Sequence, residues 1–168
     1  MDPEPSFNLL STIDSDLFFG FVGIFVLLFC SALVSAAEVA YFSLTPKDLD
    51  ACAQDDTTKT QIIASLLEKP KKLLATLLVA NNFINIGVVI LFSVIGKNLF
   101  ESIASPLLKF TIEVILVTFL ILLFGEVLPK VYANRNNTKF ALFVAYPLSF
   151  LDKILSPISL PMRALTIY

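Results

Sequence analysis

Three long apolar stretches run along the chain, separated by polar segments. They extend from about residue 17 to 44, from about 73 to 95 and from about 110 to 128. Each is long enough to cross roughly 30 Å of hydrocarbon as a helix rising about 1.5 Å per residue. The pattern therefore predicts an all-α membrane protein whose three transmembrane helices lie within residues 17–136, after an extracytoplasmic segment at residues 1–16.

The polar segment 45–72, between the first two spans, predicts a helical hairpin at the membrane surface. Thr45 can cap a helix, with Asp48 reaching back as its partner in a capping box. A second short helix is expected around residues 60–67, and Pro70 then marks its end. Two short amphipathic helices of this kind fit a juxtamembrane pair.

The last segment, residues 137–168, is apolar but contains Pro147, Pro157 and Pro161. Proline lacks the backbone N–H and clashes with the preceding helical turn, so we expect these prolines to break any long helix. A kinked helix lying in the membrane interface is the favoured interpretation. The alternative is a fourth span, which would carry the C-terminus to the other side of the membrane.

Basic residues are unevenly distributed between the loops. The segment 45–72 holds five lysines and the segment 129–139 holds three basic residues, whereas the loop 96–109 holds two and residues 1–16 hold none. Cytoplasmic loops are enriched in lysine and arginine. The distribution predicts a multi-pass protein with its N-terminus outside, and with the hairpin and the C-terminal segment in the cytoplasm.

Composition agrees with a membrane location and narrows the chemistry. The chain is 57% hydrophobic and 15% charged, with a mean hydropathy of +0.83, against about 45–50% and about 25% for soluble domains. It contains no histidine, which excludes histidine-based catalysis and histidine-ligated zinc. No phosphate-binding loop or long basic tract is present. We therefore expect neither an enzyme nor a nucleic-acid-binding protein.

The first span carries a polar stripe. Ser31, Ser35 and Glu38 follow one another at i, i+4 and i+7, which places them on one helix face. Serines alone are explained by close helix packing, with each hydroxyl bonded to its own i−4 carbonyl. Packing does not need a carboxylate, so Glu38 indicates either an interfacial position, a partner such as Lys130, or a functional role.

The second span carries three amides in five residues. Asn81 and Asn85 lie on one face, and Asn82 lies about 100° away from Asn81. Hydrogen bonds between helices are one explanation, and they contribute about 0.6 kcal/mol each on average. Three amides near mid-membrane depth exceed what packing usually requires, so a functional site is the other explanation.

The third span ends with a glycine, a carboxylate and a proline. Because Pro129 has no N–H and displaces the carbonyl four residues back, the carbonyl oxygen of Gly125 is expected to leave the helical ladder beside Glu126. This ending predicts a cation site, with an interfacial Glu–Lys pair as the alternative. Near the outer end, Glu113 can attract cations or pair with Lys109.

Together the spans offer hydroxyl, amide, carbonyl and carboxylate oxygens. They offer no imidazole and no clustered thiolates. Such hard oxygen donors suit Mg²⁺, Ca²⁺ or Na⁺ rather than zinc or copper. Charged groups at membrane depth are costly and often mark ion paths. The polar residues therefore predict a small hard cation as the ligand.

Three segments carry a family resemblance. They are SALVSAAEVAYFSL (31–44), EKPKKLLATLLVANNFINI (68–86) and FGEVLPKVYANR (124–135). In order and spacing they resemble the transmembrane domain of the cyclin M–CorC family of magnesium transport proteins, with G-E-x-x-P-K as the most specific part. The opening MDPEPS is similar to the bacterial branch of that family named for gliding motility.

The resemblance implies a homodimer in a bacterial inner membrane. Each protomer would have three spans, the cytoplasmic hairpin, a belt-like interfacial helix, and an inward-facing acidic cavity holding a dehydrated Mg²⁺. The implied ligands are the side chains of Ser31, Ser35, Asn81, Asn85 and Glu126 and the carbonyl of Gly125. The implied cavity or gating residues are Glu38, Asn82, Pro129 and Lys130.

The resemblance also implies a function. The leading hypothesis is Mg²⁺ export by alternating access, with inward Na⁺ as a candidate coupling ion. The alternative is a Mg²⁺-sensing or scaffolding membrane module without transport, which supports a partner machine such as gliding or secretion. Family members continue into paired CBS modules that bind ATP–Mg²⁺, and such modules would begin after Tyr168.

Overall fold

The computed structural model describes residues 15–55 and 57–165. The expected extracytoplasmic segment therefore lies almost wholly outside the described residues. Every regular element in the described part is helical. The elements are α1 (Ser15–Phe42), α2 (Pro46–Asp55), α3 (Thr57–Leu67), α4 (Pro70–Leu99), α5 (Pro106–Leu120), a π-helical segment (Ile121–Val127), α6 (Leu128–Arg135) and α7 (Asn137–Leu165).

Three segments are long and apolar enough to cross a membrane. They are Leu17–Phe42, Pro70–Leu99 and Pro106–Arg135. The predicted three-span, all-helical membrane architecture is thus confirmed for the described residues. The second and third helices continue beyond their apolar stretches, because backbone hydrogen bonding does not stop where side chains become polar.

The first two spans are antiparallel and approach closely along a line of contact, called the seam here, that begins where Gly20 and Gly23 of α1 face Ile95 and Leu91 of α4. A Cβ atom on Gly20 would lie 2.6 Å from Ile95 Cδ1, and one on Gly23 would lie 2.7 Å from Leu91 Cδ2. Real Cβ contacts are longer, so a side chain at either position would require Ile95 or Leu91 to shift at the present separation of α1 and α4. Small residues at such positions are how membrane helices pack closely.

The largest apolar core lies at the hairpin end of the bundle. There the end of α1 packs against the start of α4, α6 and α7, and α3 joins the core through its contacts with α4 and α7. The fully buried members are mostly alanines and short aliphatic residues, which let several helices converge: Ala36, Ala37, Ala40, Tyr41, Ile63, Leu73, Leu77, Ala133, Ala141, Val144, Ala145 and Leu148.

Helix α7 departs from the expectation for the last segment. It runs unbroken from Asn137 to Leu165, past all three of its prolines, so the prediction that these prolines break any long helix is wrong. At Pro147 the buried face of the helix explains the continuity, because Val144 and Leu148 pack into the core on both sides of this proline. That packing offsets the local loss of a helical hydrogen bond. Helix α7 is not among the three candidate spans.

Glu113 also differs from one of its two expectations. Lys109 Nζ donates a hydrogen bond to the carbonyl oxygen of Lys97 at 3.1 Å and does not pair with Glu113. Glu113 Oε1 is instead buried, with no hydrogen-bond partner in the part of the chain that the structure describes, in the space that a side chain at position 96 would fill. Gly96 thus gives this carboxylate room between α4 and α5.

The predicted capping box at the start of α2 is present. The Thr45 backbone N–H and hydroxyl donate to Asp48 Oδ2 at 2.8 and 2.7 Å, and the Asp48 N–H donates back to Thr45 Oγ1 at 3.3 Å. These bonds favour the charged carboxylate. The backbone N–H of Thr45, followed by its hydroxyl, lowers the pKa of Asp48 below its usual 3.8.

Carbon-13 NMR of the Asp48 carboxyl group should therefore give a pKa below 3.8. The Thr45→Ala substitution should raise that pKa only in part, because the backbone N–H remains. A lowered folded-state pKa means that the cap stabilises α2 above the unfolded-state value, and that this contribution is lost as pH falls through the folded-state pKa. A value of 3.8 or higher in the unsubstituted protein would contradict this account.

The glycine seam predicts that Gly20→Ala lowers stability. Overpacking typically costs about 1–3 kcal/mol, against roughly 1 kcal/mol gained from the better helix propensity of alanine. We expect a net loss of about 1 kcal/mol, measured by SDS titration of the purified protein. Gly87→Ala is the control, because its Cβ would lie 3.5 Å from Leu27 Cδ1, an ordinary contact. Equal stability of the two variants would rule out a tight seam at Gly20.

Candidate metal centre

Polar side chains from three spans meet near the middle of α1. Ser31 and Ser35 come from α1, Asn81 and Asn85 from α4, and Glu126 from the π-helical segment. The serines are buried, with 0% and 1% of their surface exposed, whereas the amides and the carboxylate are half-buried. The structure therefore brings together all five side chains that the resemblance implied as ligands.

The Ser31 hydroxyl lies between two amide oxygens. Its Oγ is 2.9 Å from Asn81 Oδ1 and 2.7 Å from Asn85 Oδ1, and Ser35 Oγ is 3.3 Å from Asn81 Oδ1. A hydroxyl has one proton, so Ser31 can donate to only one of the two amides. If Ser31 donates to Asn85 and Ser35 donates to Asn81, no proton lies in the 2.9 Å contact between Ser31 and Asn81.

Oxygen atoms this close suit a cation. Neighbouring ligands on an octahedral Mg²⁺, at about 2.0–2.1 Å from the ion, are separated by about 2.9 Å. The same contacts also act as hydrogen bonds between α1 and α4, with Ser31 and Ser35 bonding across the seam. The cluster thus combines helix pairing with a set of crowded hard donors.

The amide nitrogens face the carboxylate. Asn85 Nδ2 lies 3.3 Å and Asn81 Nδ2 lies 3.5 Å from Glu126 Oε1. These distances are long for N–H···O bonds, whose usual length is about 2.9–3.0 Å. Among the described residues Glu126 has no ion-pair partner. Its charge is therefore held loosely and is not balanced by any lysine or arginine whose side chain the structure describes.

Lys130 is engaged with a different carboxylate. Its Nζ lies 3.1 Å from Glu38 Oε2, and both side chains are 38% exposed. The alternative in which Glu126 forms an interfacial pair with a lysine is therefore wrong for Lys130, because that lysine is turned toward α1. The pair lies next to the cluster, since Glu38 is one helical turn from Ser35.

The π-helical segment supplies Gly125 and Glu126, and its widened form was not predicted. The N–H of Leu128 bonds to the carbonyl of Leu123, five residues back. Such segments are rare and frequently lie at functional sites. The sequence signal that could have found it is the glycine four residues before Pro129, since a proline there leaves the Gly125 carbonyl without its α-helical donor.

The backbone of Gly125 lies close to the side chain of Ser31. A Cβ atom at position 125 would lie 3.0 Å from Ser31 Oγ and 3.4 Å from Ser31 Cβ. The absence of a side chain lets the backbone of the third span approach the hydroxyl. Gly125 is thus the sixth implied ligand residue that lies at the cluster.

Asn82 is not brought into the cluster. It is exposed on α4, beside Phe83, which is 78% exposed on the same outward face. Pro129, also predicted for the cavity or its gating, is half-buried in the first turn of α6. Of the four residues implied for lining or gating, the structure therefore places Glu38 and Lys130 in mutual contact and Asn82 elsewhere.

The donor set is dominated by neutral oxygens. Within the described residues, no three histidine, cysteine or carboxylate side chains gather in a group that could hold a metal ion. Glu126 is the single carboxylate among the hydroxyls and amides of the cluster. This set of donors suits a hard cation whose water ligands are replaced by neutral protein oxygens.

Comparison with known proteins agrees with the resemblance in the sequence. A family model described as the cyclin M transmembrane N-terminal domain matches residues 22–167. A UPF0053 protein of Haemophilus influenzae is 30% identical over 87% of this chain and 34% of its own length. The UPF0053 inner membrane protein YfjD of Escherichia coli is 32% identical over 80% of this chain and 29% of its own length.

A UPF0053 protein of Synechocystis is 28% identical over 80% of this chain and 38% of its own length. The chain thus spans between 29% and 38% of the length of these three relatives. The matched region contains most of the first span, the whole of the other two, the hairpin and every residue of the cluster. The chain belongs to the cyclin M–CorC family of membrane proteins.

Proposed function

We propose that this domain carries Mg²⁺ across a bacterial inner membrane, with the Ser31–Asn81–Asn85–Glu126 cluster as its binding site. One observation carries the proposal: crowded oxygens from two spans converge beside a carboxylate of the third span that has no cationic partner among the described residues. Membership of the cyclin M–CorC family supports a divalent cation as the substrate.

The energetics favour a mobile cation over a structural role for Glu126. A charged side chain near the bilayer centre costs about 2.5–3.5 kcal/mol on insertion scales. Proteins usually offset such a cost with a paired basic residue, but Lys130 pairs with Glu38. A bound cation would supply the missing charge, and the site would then be strained when empty.

The donors available match the needs of Mg²⁺. Two hydroxyls, two amide oxygens and the Glu126 carboxylate lie together, and the Gly125 carbonyl that the resemblance implies would make a sixth oxygen for an ion that prefers six. Export by alternating access follows if α1 and α4 rock about the seam, opening the cluster to each side in turn. Inward Na⁺ is the coupling ion we propose, and the domain itself has no enzymatic role.

Removal of a donor should abolish transport. In proteoliposomes with an encapsulated Mg²⁺-sensitive dye, Asn85→Ala and Glu126→Ala should each reduce Mg²⁺ flux by at least about tenfold, as expected for losing a ligand to a charged group. Asn98→Ala and Glu101→Ala are matched controls, since both residues are exposed and lie outside the cluster.

Flux that is unchanged in both cluster variants would show that the site is misplaced. Thermal stabilisation of the unsubstituted protein by Mg²⁺ without any flux would instead support the sensing or scaffolding alternative. In that outcome the two cluster variants should still lose the stabilisation, because the ligands would be the same.

Substitutions of Glu38 and of Lys130 should change the affinity for Mg²⁺ in opposite directions. Lys130→Gln leaves Glu38 unpaired beside the site and should strengthen Mg²⁺ binding about threefold, while Glu38→Gln should weaken it by a similar factor. The effects are small because the pair is partly exposed. Isothermal titration calorimetry measures both, and the double variant should return close to the parent value. Two shifts of the same sign would contradict this electrostatic role.

A further inference from the structure

A second polar cavity lies at the hairpin end of the molecule, away from the candidate metal centre. The end of α3, the start of α4 and the middle of α7 enclose a volume of about 240 Å³. Its lining is mostly polar and contains three lysines, Lys69, Lys72 and Lys153, together with the hydroxyls of Ser65 and Ser149. Nothing in the proposed transport function uses these residues.

The inner wall of this cavity is a buried ion pair. Lys72 Nζ lies 2.6 Å from Asp152 Oδ2, and the side chains are 15% and 13% exposed. The buried hydroxyl of Thr76 donates to the other carboxylate oxygen, Oδ1, at 3.0 Å. Both oxygens of Asp152 are thus engaged, so its charge is neutralised and does not repel an anion in the cavity.

The rim of the cavity has an excess of positive charge. Lys69 and Lys153 are exposed and form no ion pair with any described residue. Glu68 is the other carboxylate of the lining. Because Lys72 and Asp152 neutralise each other, the remaining charged residues of the lining are two lysines and one carboxylate. Basic pockets between membrane helices are characteristic sites for anionic headgroups.

The cavity lies where a lipid headgroup would be. Lys69 directly precedes Pro70, the first residue of the second candidate span. From the rim, an apolar stripe continues along α7 through Phe143, Phe150 and Ile154, which are 65%, 67% and 53% exposed. Phe150 is one helical turn before Lys153, so polar cavity and apolar stripe are adjacent on the same helix.

We propose that this cavity binds the headgroup of an anionic phospholipid. Lys69 and Lys153 contact the phosphate, and the acyl chains lie along the Phe143–Phe150–Ile154 stripe. The continuity of charge and apolar surface favours a lipid over a free anion, because inorganic phosphate would use the lysines but not the stripe. The site is independent of the metal centre, so either proposal can fail without the other.

Native mass spectrometry of the delipidated protein in a neutral detergent tests this site. Dioleoylphosphatidylglycerol should bind the unsubstituted protein more tightly than dioleoylphosphatidylcholine. In Lys69→Ala/Lys153→Ala the dissociation constant for phosphatidylglycerol should rise about thirtyfold, from roughly fivefold for each lysine. The control Lys47→Ala/Lys71→Ala removes the same charge from exposed positions outside the cavity and should change it by less than about threefold.

Circular dichroism and gel filtration check that the variants fold, and the single variant Lys153→Ala replaces the double variant if the latter does not. Equal binding of the two lipids, or equal losses in the cavity and control variants, would overturn the proposal. A competition arm uses inorganic phosphate. If millimolar phosphate displaces the lipid completely, with the same dependence on Lys69 and Lys153, the site binds a free anion and the lipid assignment is wrong.

Discussion

The contact between the Ser31 hydroxyl and the amides of Asn81 and Asn85 is the interaction on which the rest of the candidate site depends. A serine side chain is short, so it reaches another helix only where the two backbones are close. Gly23 and Gly20, about two and three turns before Ser31 on α1, mark a close approach of the same two helices. The polar cluster therefore continues the close packing of α1 against α4. At the glycines the helices approach because a side chain is absent, and at the cluster short polar side chains fill the space between them.

Much of this arrangement could be predicted from the sequence because helices have a fixed period. The three spans follow from the length of the apolar stretches, and the shared faces of Ser31 with Ser35 and of Asn81 with Asn85 follow from 3.6 residues per turn. The continuity of α7 could not be predicted, since it depends on packing against α1, α3 and α4, which are distant in sequence. Local proline rules omit that tertiary contribution.

The distribution of charges distinguishes structural carboxylates from the candidate ligand. Asp152 is neutralised by Lys72, and Glu38 by Lys130. Like Glu126, Glu113 has no basic partner among the described residues, but it lies beside Gly96, about three helical turns from the serine and asparagine oxygens. A lone carboxylate is thus not what marks the site. The candidate site is distinguished by a carboxylate that lacks a basic partner among the described residues and lies close to neutral oxygens from two other helices.

Sequence spacing does not decide which carboxylate Lys130 pairs with. Glu126 and Lys130 are four residues apart, a spacing at which residues of a regular α-helix can pair. Glu126 belongs to the π-helical segment Ile121–Val127, and Lys130 belongs to the α-helix that follows it. Glu126 then faces the amides of α4 while Lys130 reaches Glu38 on α1. The carboxylate of Glu126 thus faces neutral side chains of α4, and the ion pair of Lys130 connects the third span to the first.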